Sequence, residues 1–99
     1  MTEQEILEAA IAEYGGEIQK LVTIEELSEL QKAIVKQIRY PGDYKRVIDI
    51  AEEMADVWVM LKQLTLIYGV GDEVERWKQK KLKRLLDQVT TPIIPKSAL

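Results

Sequence analysis

Apolar side chains recur along most of this chain at intervals of three and four, the spacing of helices, and no stretch alternates as a half-buried strand does. Thr2 with Glu5 forms a capping-box pattern, and Ile6, Leu7, Ala10, Ile11 and Tyr14 then predict a first helix ending near Gly15-Gly16. Residues 17–22 read as helix or turn, with Ile18, Leu21 and Val22 available for packing. Ile24, Leu27, Leu30, Ile34 and Ile38 predict a second helix. It ends before Arg39-Tyr40-Pro41-Gly42, where proline presets one dihedral and glycine permits the next. Asp43 can cap a third helix from about Tyr44 to Tyr68, with Gly69 as its stop. Asp72 with Glu75 repeats the capping pattern ahead of a fourth helix running to about Val89. The run Thr90-Thr91-Pro92-Ile93-Ile94-Pro95 cannot prolong that helix. One helical domain over residues 1–89 and an extended tail over 90–99 are therefore expected.

The third segment is apolar over much more than one stripe: from Val57 to Tyr68 only Lys62, Gln63 and Thr65 are polar. A helix of that kind must be covered on nearly all sides. The reading is an all-α, four-helix antiparallel bundle that oligomerises through its apolar central helices, as a homodimer or a dimer-of-dimers tetramer.

Composition narrows the chemistry. A chain of 99 residues makes one domain with a real core but little room for a deep, enclosed cleft. Without cysteine there are no disulfides, thiol nucleophiles or thiolate metal sites, which fits a reducing cytoplasm. Without histidine the commonest general base near neutral pH and the commonest transition-metal ligand are missing. A net charge of −3 gives no global steering toward phosphates. No run is long and apolar enough to span a membrane and no signal peptide is apparent, so a cytoplasmic location without membrane partners is expected.

Two acidic clusters then stand out, Glu25-Glu26-Leu27-Ser28-Glu29 and Glu52-Glu53-Met54-Ala55-Asp56. Glu25, Glu26 and Glu29 share one helical sector at the edge of an apolar face, and Glu53 with Asp56 repeats the spacing one turn after Asp49. If the two helices pack antiparallel across the Pro41-Gly42 turn, Glu26, Glu29, Glu53 and Asp56 converge. Four carboxylates in a partly dry pocket repel one another unless cations neutralise them, and all-oxygen ligation selects hard ions such as magnesium. A plainer reading stands beside this one: Thr23 to Glu26 is itself a capping box, and Glu25 and Glu29 could pair with Lys32 and Lys36 in solvent. A di-iron bundle is excluded, because its Glu-x-x-His pairs need histidine.

Between Arg76 and Arg84 six of nine positions are basic and none is acidic. Lys78 and Lys81 fall in the sector of Val74, Trp77, Leu82 and Leu85, with Arg84 at its edge. They either extend out along their own stems or form a ladder for successive phosphates. Trp77 within the basic run also admits a small nucleic-acid-binding bundle, although the negative net charge and the acidic clusters disfavour nucleic acid.

The pattern Glu25-Glu26-x-x-Glu29, then Glu53-x-x-Asp56 after a helix-turn-helix spacer, resembles the paired motif of the MazG-like all-α NTP pyrophosphohydrolases, a superfamily that includes dimeric dUTPases and dCTPases. The likeness includes Glu-Glu-Met-Ala-Asp-Val-Trp around Asp56 and Lys81-Leu82-Lys83-Arg84, covers about Tyr14 to Leu86, and looks closest to short single-domain bacterial and phage members. It implies hydrolysis of a (d)NTP between the α and β phosphates to a monophosphate and pyrophosphate. It also implies magnesium, with manganese as a substitute, bound by Glu26, Glu29, Glu53 and Asp56. Glu25 or Glu26 would orient or deprotonate the attacking water, and Lys78, Lys81 and Arg84 would hold the outer phosphates. The chain departs from the family after Arg84, where Leu85-Leu86-Asp87-Gln88-Val89 leads into a Pro-Ile-Ile-Pro tail in place of an asparagine- and arginine-containing stretch. A rival reading is a catalytically silent helical interaction module of the same fold.

Overall fold

The computed structural model describes residues 1–91. They form four α-helices, α1 (Glu3–Tyr14), α2 (Gly16–Arg39), α3 (Tyr44–Tyr68) and α4 (Gly71–Thr90), with no strand among the described residues. The all-α, four-helix expectation holds. Most of the proposed tail lies outside the described residues, and α4 runs one residue beyond the expected end.

Local sequence sets the boundaries. The capping box forms in full: Glu5 N–H donates to Thr2 Oγ1 at 3.1 Å, and Thr2 N–H donates to Glu5 Oε1 at 3.0 Å. Gly15, at φ +89°, separates α1 from α2 in a conformation that L side chains rarely adopt. Asp43 caps α3 by accepting from Lys45 N–H at 3.1 Å, and Gly69 closes it in the left-handed region at φ +64°.

Two boundaries differ from the sequence reading. Helix α2 is continuous from Gly16, so Thr23 lies two turns inside it and starts nothing. Its hydroxyl donates to Gln19 C=O at 2.8 Å, a bond within the helix that replaces the expected cap. Helix α4 starts at Gly71 behind Val70, with no side-chain cap, which leaves Asp72 and Glu73 in the first turn. There their charges complement the positive end of the helix dipole.

The chain divides into two compact units, the first spanning Met1–Gly69 and the second beginning at Val70. In the first unit α2 and α3 form an antiparallel pair with α1 against both. Gln19 meets Gln63 at one end of the pair, and Lys36 and Arg46 line the same cleft at the other. The seam buries Ala33, Val57 and Met60, along with three polar residues, Gln19, Thr23 and Gln63; Leu7 completes the core from α1. This is a thin core. Ile24, Ile34, Val35, Trp58, Val59 and Leu61 keep more than a third of their surface exposed. Among the described residues no helix is long and apolar enough to cross a membrane.

Candidate metal centre

The seam residues of α2 follow a three-four rhythm, Gln19, Thr23, Glu26 and Ala33, and those of α3 follow Glu53, Val57, Met60 and Gln63. Glu26 and Glu53 therefore stand at positions where this helix pair otherwise buries its neighbours. Both are half-buried, whereas Asp56 is exposed at the edge. Acids at such positions forgo apolar burial and bring charge into a partly dry seam, so they weaken the pair unless something else holds them.

One carboxylate oxygen from each of Glu26, Glu53 and Asp56 lies within 4.8 Å of the other two. Burial and then the Asp56, Glu53 and Glu29 carboxylates push the Glu26 carboxyl above its ordinary value. Burial also comes first for Glu53, followed by Asp56, Glu29, Glu52 and Asp49, and the shift is again upward. Like charges this close favour a bound proton or a bound cation.

The donor set fits magnesium. Glu53 Oε2 is shielded from solvent and accepts no hydrogen bond, which leaves a buried acceptor without a partner. Oxygen-only ligands select hard cations, and magnesium takes a few carboxylates together with water and substrate phosphates.

Among the other residues implied by the resemblance, Glu29 is exposed and pairs with Lys32 at 3.4 Å; it acts on the cluster through charge and lines a neighbouring cleft with Glu53. Glu25 is exposed on α2 and outside the three-acid group. On α4, Lys78 and Lys81 border the apolar groove of Val74, Trp77, Leu82 and Leu85, which is the face read from the sequence. Lys78 pairs with Glu75 at 2.7 Å, and Lys81 lies 5.8 Å from the Trp77 ring centre. Arg84 is exposed. The aromatic residues Tyr40, Tyr44, Trp58, Tyr68 and Trp77, each able to stack on a base, are all exposed, and Lys62 covers Trp58 at 5.4 Å.

Two features escaped the sequence reading. Arg46, seven residues before Glu53 and thus on its face, lines the cleft beside the acids. The Gln19–Gln63 pair lies buried in the seam, and its only trace in the sequence is one glutamine inside the apolar run of α3.

The chain matches no family model, no curated protein and no solved structure.

Proposed function

We propose that the protein is a magnesium-dependent nucleoside triphosphate pyrophosphohydrolase, as its resemblance to the MazG-like enzymes implies. The observation that carries this reading is the meeting of Glu26, Glu53 and Asp56 across the α2–α3 seam, with a Glu53 oxygen shielded and unpartnered. Glu26 and Glu53 take half-buried seam positions, where a merely solvating acid gains nothing.

Glu26, Glu53 and Asp56 would hold Mg2+, with Glu29 adding negative charge beside them. When bound, the ion supplies charge neutralisation for the phosphate oxygens and activation of water. In the reaction a water oxygen bonds to the α-phosphorus, and the bond from that phosphorus to the oxygen bridging the β-phosphate breaks. Pyrophosphate departs with that bond's electron pair. Glu25 or Glu26 orients the water and accepts its proton.

Self-association belongs to this reading. Apolar side chains left exposed on α2 and α3, among them Ile24, Ile34, Val35 and Trp58, would be covered by a second copy, in a homodimer or a dimer of dimers.

The test is pyrophosphate release from a panel of ordinary and modified NTPs and dNTPs with magnesium. Glu53→Ala with Asp56→Ala should abolish it. No release from any nucleotide, or release untouched by that double change, would refute the proposal.

A further inference from the structure

The α2–α3 pair carries a second chemical feature that three acids do not account for. From Glu26 toward the Pro41-Gly42 turn, the facing residues change from acidic to basic. A cleft of about 110 Å³ opens there, lined by Lys32, Lys36 and Arg46 together with Glu29, Asp49, Glu52 and Glu53. It is large enough for several waters or a group of that size.

These bases are only partly occupied by local partners. Lys32 reaches Glu29 at 3.4 Å. The Lys36 ammonium makes no ion pair or hydrogen bond among the described residues. Arg46 stands 3.3 Å from Asp43 Oδ2 through its Nε, which is shielded from solvent yet donates no hydrogen bond. Its guanidinium lies 5.4 Å from the Tyr40 ring centre, which restricts its motion.

Direction matters as well. Lys32 and Lys36 follow Glu26 by six and ten residues, roughly 9 and 15 Å along the helix axis. Helical side chains lean toward the N-terminus, so both stems lean back toward the acids. The cleft shares Glu53 with the three-acid group, so the two sites are continuous.

Four acids against three bases leave the cleft with one negative charge, which by itself repels an anion. Glu26 and Asp56 beside it bring the joined sites to three negative charges, and a divalent cation held by Glu26, Glu53 and Asp56 cuts this to one, easing the repulsion. We infer that Lys36 and Arg46 bind the terminal phosphates of a polyphosphate whose scissile phosphorus lies at the acids, so that the cleft holds the departing pyrophosphate. The inference rests on the hydrolase reading above and adds to it that anion binding depends on the cation, each strengthening the other by the same factor.

Calorimetric titration of the full chain with pyrophosphate, with and without magnesium, tests this, and a parallel titration with Mn2+ alone reports on the acids. Pyrophosphate should bind only with magnesium. Lys36→Gln and Arg46→Gln should each weaken it about tenfold, the size expected for losing one charge-assisted hydrogen bond. Manganese affinity and thermal midpoint should stay at wild-type values, and Arg46→Lys should recover part of the loss. If Arg46→Gln fails to fold, Lys36→Gln carries the test alone, since Lys36 is exposed. Wild-type pyrophosphate affinity in the glutamine variants would overturn the cleft assignment and leave the hydrolase reading standing. Manganese binding without pyrophosphate binding would also overturn the cleft assignment, while loss of both in the wild-type chain would remove the two readings together.

Discussion

Gln19 Nε2 donates to Gln63 Oε1 at 2.7 Å inside the α2–α3 seam. Seven residues further along α2 stands Glu26, and seven residues back along α3 stands Asp56. Two helical turns thus separate a buried amide pair from the acid cluster on both helices, and the register that joins the glutamines also aligns the carboxylates.

The amide pair gives the first prediction. Gln63→Leu leaves Gln19 buried without its partner and should cost about 1–3 kcal/mol in chemical denaturation. Gln19→Leu should behave alike. The double leucine variant should return close to wild-type stability, because neither amide is then stranded. Single losses that simply add in the double variant would show that the pair is not coupled.

Divalent cation should stabilise the folded chain. At 100 times its Kd, a single bound ion adds about 2.7 kcal/mol, visible as a higher thermal midpoint with Mg2+ or Mn2+. Glu53→Gln and Asp56→Asn should lose most of that gain, whereas Glu25→Gln should keep it. A midpoint indifferent to both ions would remove the metal from the proposal.

The raised proton affinities of Glu26 and Glu53 give a pH dependence with a defined sign. Both carboxyls bind protons more tightly folded than unfolded, where the ordinary value is 4.5. Their contribution favours the folded state in acid and is lost as pH rises from the ordinary value through the raised folded one. Metal-free protein should therefore melt higher at pH 5 than at pH 7, through Glu26 and Glu53 facing Glu29, Glu52, Asp49 and Asp56. Glu26→Gln with Glu53→Gln should flatten that slope, and bound cation should give its larger gain at pH 7.

Backbone conformation sets the last prediction. Gly69→Ala places a Cβ in the left-handed region and should cost on the order of 1–2 kcal/mol. Gly16→Ala meets Ile67 Cγ2 at 3.6 Å, an ordinary contact at a position of unexceptional φ, and should gain up to about 1 kcal/mol. Denaturant midpoints of the two variants should move in opposite directions.

Much of the fold was legible because its signals are local. Thr2, Gly15, Asp43 and Gly69 each act within a few residues of themselves, and the structure uses all four as read. Thr23 was misleading because a capping-box pattern looks the same at a helix start and in a helix interior. Whether the turns before it are helical depends on packing, including the contact of Gln19 with α3.

The amino-acid order alone determined that the chain is helical, where α3 and most other helix ends lie, and that acids recur at helical spacing on two segments. It could not determine which acids meet. That is a matter of register between helices, and a one-turn slip would turn Glu26 toward different neighbours without altering any local pattern. Tertiary packing fixed the register, which the Gln19–Gln63 contact marks. It grouped Glu26, Glu53 and Asp56, kept Glu25 in solvent, and drew Lys36 and Arg46, ten residues apart across the turn, to the same cleft.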